Sequence, residues 1–429
     1  MERETIFALA TAPGRAGVAI IRVSGPAAAA AAREMSGELA EPRMLVVRRI
    51  MDGEELIDVG MVVWFAEGAS YTGEEMVEFH LHGGRAVVAR VLDALAARSG
   101  FRAAAAGEFT RRALDAGRMD LTQAEGLADL IDAETEAQRK LVLRVAEGAL
   151  ADAVKSMRDQ AIRILALIEA SIDFADEEDA PDDVSAEVAA GAEALLGALM
   201  RLTSVAKAGE RLREGYRVAI VGAPNVGKSS LLNAIAGREA AITSPIAGTT
   251  RDVIEVACEI EGLPVIFIDT AGLRETQDVV ESEGVFRARD ASRAADLRIF
   301  LEAPDVSEAV DDDLRREGDL SVWAKADLSS GPGDHAVSAK TYEGVPALLK
   351  VVADSLQPKA MGSLIASRQR QYQRLVAAGE GVAAAIGAQS MEISAENMRL
   401  AVRQLDEIIG IVDVEDVLDE VFSRFCIGK

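Results

Sequence analysis

Residues Val218-Ala-Ile-Val-Gly-Ala-Pro-Asn-Val-Gly-Lys-Ser229 decide the fold of the middle of the chain. The apolar run Val218–Val221 feeds a Gly-x-x-x-x-Gly-Lys-Ser loop at 222–229, and the helical run Ser230–Ala236 follows. That is the strand, loop and helix context of a phosphate-binding loop. A Gly-rich turn lets successive backbone N–H groups face phosphate oxygens. Lys228 would reach the β- and γ-phosphates, and the Ser229 hydroxyl would sit on Mg²⁺.

Downstream motifs narrow the nucleotide. Gly248-Thr-Thr-Arg-Asp252 offers Thr250 at the position of a first switch, ordered by Mg²⁺ and the γ-phosphate. Leu263-Pro-Val-Ile-Phe-Ile-Asp-Thr-Ala-Gly272 is an apolar strand ending in Asp-x-x-Gly. Asp269 would hold Mg²⁺ through water, and the Gly272 amide would meet the γ-phosphate. This spacing points to a switch GTPase. In Trp323-Ala-Lys-Ala-Asp-Leu328, Lys325 and Asp327 match Asn-Lys-x-Asp, and Asp327 would accept from the two N–H groups of guanine. Ala324 departs from the pattern, at a cost of about 0.5–1.5 kcal/mol for one lost hydrogen bond. Guanine specificity should survive with weakened affinity. Val337-Ser-Ala-Lys340 resembles the last guanine-contacting loop, with the Ala339 N–H aimed at the base oxygen.

Hydrolysis needs a positioned water. The position after Asp-x-x-Gly is Leu273, which cannot orient one. Asn225 and the loop Ser244–Thr249 could together cage a monovalent cation beside the phosphates, replacing an arginine finger. Glu281 and Glu283 follow in the next segment, where a carboxylate could order the water; either could equally be a surface helix residue.

Composition sets outer bounds. The 429 residues suggest roughly three domains. With 49% hydrophobic and 27% charged residues, the chain reads as globular with sizeable cores. No apolar run is expected to span a bilayer, and Met1-Glu-Arg-Glu is no signal peptide. Two cysteines, Cys258 and Cys426, and three histidines argue against a disulfide framework or zinc site and fit a reducing cytoplasm. A net charge of −25 repels nucleic-acid phosphate at long range, so any work on nucleic acid needs a local basic patch or a partner.

Residues 1–117 read as a mixed α/β unit. Its expected strands are Ala19–Val23, Met44–Ile50, Gly60–Phe65 and Met76–His80; its expected helices are Ala27–Met35 and Arg85–Arg98. From Asp120 the texture changes. Thr122 and Glu125 have capping-box spacing, and apolar residues from Leu127 to Ile172 recur at helical spacing with little Gly or Pro, so long helices are expected. The acidic run 173–183, with Pro181, reads as a solvated loop. A helix over Ala186–Arg211 leads to the phosphate-loop strand. Strand and helix signals then alternate to residue 352, a doubly wound sheet, and 353–421 is helical again. The expected fold is therefore multidomain: an α+β N-terminal domain (1–117), an α-helical domain in two parts (118–211 and 353–429), and an inserted Ras-like α/β P-loop GTPase domain (212–352).

The flanks carry a more specific signal. Glu4-Thr-Ile-Phe-Ala-Leu-Ala-Thr-Ala-Pro-Gly-Arg-Ala-Gly-Val-Ala-Ile-Ile-Arg-Val-Ser-Gly25, Ser70-Tyr-Thr-Gly-Glu-Glu75, His82-Gly-Gly84, Gly107-Glu-Phe-Thr110, Asp120-Leu-Thr-Gln-Ala-Glu125 and Cys426-Ile-Gly-Lys429 stand around the GTPase motifs. Together they resemble the tRNA modification GTPase MnmE (TrmE) family over essentially the whole chain. The resemblance implies a GTPase that works with a flavin-containing partner, MnmG, in a heterotetramer or larger complex. The complex adds an aminomethyl or carboxymethylaminomethyl group to C5 of the wobble uridine of certain tRNAs. It also implies a homodimer formed through a folate-binding-like N-terminal domain, with 5-formyltetrahydrofolate as one-carbon donor. No Gly-x-Gly-x-x-Gly fingerprint occurs, in keeping with a flavin on the partner and not on this chain.

Carried over residue by residue, the family's folate contacts fall on Arg22, Glu78, Arg118 (where Lys is usual) and Lys429. Its potassium ligands fall on Asn225, Ser244, Ile246 and Thr249, its Mg²⁺ ligands on Ser229 and Thr250, and its water-orienting glutamate on Glu281. The nucleotide-contacting set takes in Asn225, Val226, Gly227, Lys228, Ser229 and Ser230. It continues through Ser244, Pro245, Ile246, Ala247, Gly248, Thr249 and Thr250, then Asp269, Thr270, Ala271 and Gly272. It closes with Ala324, Lys325, Ala326 and Asp327, and with Ser338, Ala339 and Lys340. The implied mechanism is potassium-stimulated hydrolysis on dimerisation of the GTPase domains. Cys426 suits nucleophilic chemistry and equally an inert buried thiol. Two other readings compete: a GTPase switch in ribosome or ribonucleoprotein assembly, and a folate-binding dimerisation module with a degraded GTPase domain.

Overall fold

The computed structural model describes residues 4–173, 184–237, 254–269, 289–306, 312–329, 331, 335–357, 364–412, 422 and 428. They fall into two compact units. One comprises Met1–Ala128, Ala151–Arg158 and Val402–Lys429, the other Asp129–Leu150 and Asp159–Ala401.

The first unit is built on a six-stranded sheet of β1 (Thr5–Leu9), β2 (Ala16–Ser24), β3 (Val46–Asp52), β4 (Glu55–Phe65), β5 (Met76–Gly83) and β6 (Phe101–Ala103). The order is β3-β4-β5-β2-β1-β6, antiparallel except for the parallel β1–β6 pair. Alternation along β2 and β5 puts Ile21, Val23, Val77 and Phe79 in a core with Met35 of α1 (Ala28–Ser36) and Leu95 of α2 (Arg85–Ala96). The same alternation sends Arg22 and Glu78, directly paired across β2 and β5, to the other face.

All four expected strands and both expected helices are present here, with shifted ends. The sequence expectation lacked β1 and β6. Four of the five residues of β1 are buried, so no polar alternation marks it, and β6 is three residues long.

The long helices expected beyond Asp120 are three, α4 (Leu121–Asp132), α5 (Glu136–Ala146) and α6 (Ala149–Asp173), after the short α3 (Glu108–Asp115). The capping box is not Thr122 with Glu125. Asp120 Oδ1 accepts from the Gln123 backbone N–H at 3.1 Å, and Gln123 Oε1 accepts from the Asp120 N–H at 3.0 Å. The Thr122 hydroxyl instead donates to Asp120 Oδ1. A second box, Thr135 with Gln138, starts α5, and Gly148 at φ 98° separates α5 from α6.

The second unit holds α7 (Val184–Glu214), which packs along α10 (Gln369–Ile386), and a second six-stranded sheet. Its stretch Ala186–Glu214 is long and apolar enough by composition to cross a membrane, with mean hydropathy 1.3. The expectation that no such run exists therefore fails on length and hydropathy. The sheet comprises β7 (Tyr216–Gly222), β8 (Ile254–Ile260), β9 (Leu263–Asp269), β10 (Leu297–Glu302), β11 (Leu320–Trp323) and β12 (His335–Ala336). Its order is β12-β11-β10-β7-β9-β8, parallel throughout except that β8 runs antiparallel at the edge. Helices α8 (Lys228–Ala236) and α9 (Val345–Leu356) supply Leu231, Leu232, Leu348 and Val352 to the core beside Val218, Ile220, Phe267 and Ile299. α11 (Met391–Ile409) follows α10.

Candidate nucleotide-binding site

Four parallel strands end on one side of the second sheet, where an open α/β sheet takes its ligands. β7 ends at Gly222 and passes into the 223–227 loop; β9 ends at Asp269; β11 leads into Ala324 and Asp327; β12 leads into Ser338. Buried β7 delivers the loop as a rigid mount. Gly227 caps α8 at φ 112°, a left-handed conformation that a side chain resists. The loop bends again at Asn225, φ 63°.

Lys228 is buried, and its ammonium donates to the carbonyls of Gly222 at 2.7 Å and Ala223 at 3.0 Å. Burial pulls its pKa below the ordinary lysine value, with the Asp269 carboxylate opposing. The Ser229 hydroxyl donates to Asp269 Oδ2 at 2.6 Å, so the last residue of the loop motif meets the end of β9. A hydroxyl and a carboxylate oxygen are hard donors of the kind Mg²⁺ takes.

At the other end of the site, Ser338 is fully buried and its hydroxyl donates to Asp327 Oδ1 at 2.7 Å. That bond leaves the second carboxylate oxygen of Asp327 for a base. The Ala326 N–H donates to the Val337 carbonyl, tying the turn after β11 to the segment after β12. Ala324 is buried in the core. Lys325 Nζ donates to the Asn225 carbonyl at 2.8 Å and to both oxygens of Asp305 at 2.8 and 2.7 Å. Motif reading missed Asp305, because no spacing rule places a residue after β10 in this site. Ala339 is half-buried and Lys340 exposed, both in the turn after β12. Val226 is buried beneath the loop; Ser230 is exposed on the first turn of α8.

Several expected residues lie outside the described ones: Ser244, Pro245, Ile246, Ala247, Gly248, Thr249, Thr250, Thr270, Ala271, Gly272, Leu273, Glu281, Glu283, Cys426 and Lys429. Cys258 is buried and in no disulfide. Among the described residues no three His, Cys, Asp or Glu side chains cluster as metal ligands.

The first unit brings Arg22 and Glu78 together. Arg22 Nε and NH2 lie 3.0 and 2.9 Å from Glu78 Oε1, and NH1 donates to the Gly428 carbonyl at 3.5 Å. The guanidinium also faces the rings of Tyr71 at 5.3 Å and Phe109 at 5.7 Å. Burial raises the Tyr71 pKa against its hydrogen bond with Thr110 and the charge of Arg22. Arg118 is exposed, and its stem lies beside Gly73. Sequence reading missed Tyr71 and Phe109, although both stand in motifs it quoted.

Parallel strands that present a Gly-rich loop, a hydroxyl–carboxylate pair and a serine-buttressed aspartate along one edge mark a P-loop GTPase domain within the second unit. Comparison with known proteins extends this to the whole chain. Residues 121–426 match the MnmE helical domain family, and residues 5–118 match the GTP-binding protein TrmE N-terminus family. A tRNA modification GTPase MnmE of Cereibacter sphaeroides is 49% identical over 99% of this chain and 100% of its own length. One of Paracoccus denitrificans is 50% identical over 99% and 100%. The chain belongs to the tRNA modification GTPase MnmE family. A weaker likeness, at 20% identity and TM-score 0.25, covers 33% of the chain and 99% of a crystallised G domain of the T. maritima FeoB iron transporter. At that level it adds nothing to the assignment.

Proposed function

We propose that the chain hydrolyses GTP as one subunit of an assembly that adds a carboxymethylaminomethyl or aminomethyl group to C5 of the wobble uridine of certain tRNAs. The observation that carries the reading is the Ser229–Asp269 pair, 2.6 Å apart beside an intact phosphate loop. Relatives named tRNA modification GTPase MnmE, matched end to end, support the tRNA side.

In this reading Lys228 exchanges a loop carbonyl for a phosphate oxygen, and the loop N–H groups wrap the remaining oxygens. Ser229 and Thr250 would hold Mg²⁺ directly and Asp269 through water, and its charge would offset that developing on the phosphates. Asp327, fixed by Ser338, accepts from the guanine N–H groups. Asn225, Ser244, Ile246 and Thr249 hold K⁺, and Glu281 orients the attacking water. Asn225 suits such a role: it is exposed in the loop with a side-chain oxygen to offer.

Residues 1–117 form the folate-binding and dimerisation domain, 212–352 the GTPase domain, and 118–211 with 353–429 the helical domain. Arg22, Glu78, Arg118 and Lys429 take 5-formyltetrahydrofolate. The residues present fit that ligand: Glu78 offers a carboxylate to pterin N–H donors, and Tyr71 and Phe109 offer aromatic faces beside Arg22. The chain works in the cytoplasm as a homodimer with the flavin-containing MnmG.

GTP turnover measured in potassium and then in sodium tests the hydrolysis step. Faster turnover in potassium is expected; equal negligible rates with folded protein would overturn it. Mass analysis of tRNA nucleosides from cells lacking the gene tests the modification role, and an unchanged wobble uridine would rule it out.

A further inference from the structure

Ala324 occupies the place where the Asn-Lys-x-Asp pattern carries an asparagine. Its methyl group lies 4.0 Å from where a side chain on Gly227 would begin, so the base turn and the phosphate loop are neighbours there. A methyl group makes no hydrogen bond, and the contact is apolar.

The polar tie between the two loops is made one residue on. Lys325 Nζ donates to the Asn225 carbonyl at 2.8 Å. Both residues hold positive φ, 56° and 63°, a conformation uncommon for Lys and more readily taken by Asn. The same ammonium donates to Asp305 Oδ1 at 2.8 Å and Oδ2 at 2.7 Å. An ammonium has three donors, and the three acceptors within reach match them.

We propose that Asp305 is a positioning residue for the guanine nucleotide: it holds Lys325 against the Asn225 carbonyl and so replaces, with an ion pair, the loop-to-loop tie that Ala324 cannot make. The inference rests on the guanine-nucleotide reading of this site.

The physical case has three parts. A lysine head on four rotatable bonds needs a fixed partner if it is to hold one carbonyl. Asp305 supplies it from just beyond β10, the strand between β7 and β11, so the anchor stands between the two loops it joins. Fixing the Asn225 carbonyl also fixes the peptide that carries the Val226 N–H, one of the groups that would face phosphate. Finally, an unpaired carboxylate at this rim would repel the phosphates, and pairing with Lys325 removes that repulsion. The hydrogen bond from Lys325 holds the Asp305 carboxyl below its ordinary pKa, so it stays ionised for this role. Sequence spacing hides the arrangement, since Asp305 and Lys325 are 20 residues apart and Asn225 a further 80 upstream.

The test uses the full chain and fluorescently labelled GDP, with association and release followed separately. Release from Asp305→Ala and Asp305→Asn should be about two- to fivefold faster than from the wild type, the range of a partly exposed ion pair. Association should be unchanged. Ala324→Asn should slow release, and in that background Asp305→Ala should have a smaller effect, because the asparagine now joins the loops directly. Far-UV circular dichroism confirms folding, and the near-isosteric Asp305→Asn keeps the test open should the alanine variant fail to fold. If the wild type binds labelled GDP but both Asp305 variants release it no faster, the inference is wrong and the guanine reading stands. An undiminished effect in the Ala324→Asn background also overturns it. A folded wild type that binds no GDP removes the guanine reading and this inference together.

Discussion

Lys228 carries a charge that burial disfavours, and two loop carbonyls hold it in place. A buried charge of this kind points to binding or chemistry, since folding alone would favour an uncharged side chain there. Lys228→Met should therefore lower GTP turnover by about 100-fold or more, the size of losing one preorganised electrostatic donor. The sign for stability runs the other way. A lysine pKa lowered in the folded state means that the charged form costs folding energy, so the urea midpoint of the variant should hold or rise. Phosphate release and urea titration of the same samples check both halves. Lys228, Ser229 and Asp327 were legible because motif spacing encodes them. Ser338 was legible within Val337-Ser-Ala-Lys340, but its bond to Asp327 was not, and Asp305 was not legible at all: these partners come from other turns that only the folded sheet brings near.

Among elements, α3 shows how charge fixes a helix on a sheet. Arg112 donates to Glu74 Oε2 at 2.9 Å and to Glu108 Oε1 at 3.0 Å, and Arg102 donates to both Glu108 oxygens at 2.7 and 2.6 Å. Burial pushes the Glu108 pKa up, but hydrogen bonds from Arg102, the Ala105 N–H and Arg112 outweigh it and bring the value down to about 2. A carboxyl depressed from 4.5 to about 2 stabilises the fold fully above pH 4.5 and loses that contribution as the pH falls toward 2. Urea midpoints measured from pH 6 to pH 3 should fall more steeply for the wild type than for Glu108→Gln, which has no such proton to gain. Helix existence was legible from periodicity, whereas helix ends were not. Thr122 and Glu125 have the spacing of a cap, yet Asp120 and Gln123 make it, because Asp120 stands directly before Leu121, the first residue of α4, with a carboxylate oxygen in reach of the Gln123 N–H. The interruption of one periodic run into α4, α5 and α6 depended on Thr135 and Gly148, single residues inside an otherwise helical pattern.

On the scale of the whole molecule, the end of the chain returns to its beginning within the first unit. Phe422 is buried and packs on Gly107, where an added Cβ would lie 2.8 Å from the Phe422 Cβ. Gly428 lies close against Leu9 and gives its carbonyl to Arg22, 406 residues away. Phe422→Ala should cost about 3–5 kcal/mol in the unfolding of this unit, as for a buried aromatic removed from a core. Thermal melting with labelled 5-formyltetrahydrofolate binding as a second readout checks it: lower melting together with weaker folate binding is expected. The sequence by itself determined the Gly-x-x-x-x-Gly-Lys-Ser loop, the Lys325-Ala-Asp327 turn and the family, because tight turns and motif spacings are demands on neighbouring residues. Only the tertiary structure decided that Arg22 pairs with Glu78 and faces two aromatic rings, and that Lys325 joins Asn225 to Asp305. Those contacts follow from strand order and register, which bring distant residues within hydrogen-bond reach and leave no periodic trace along the chain.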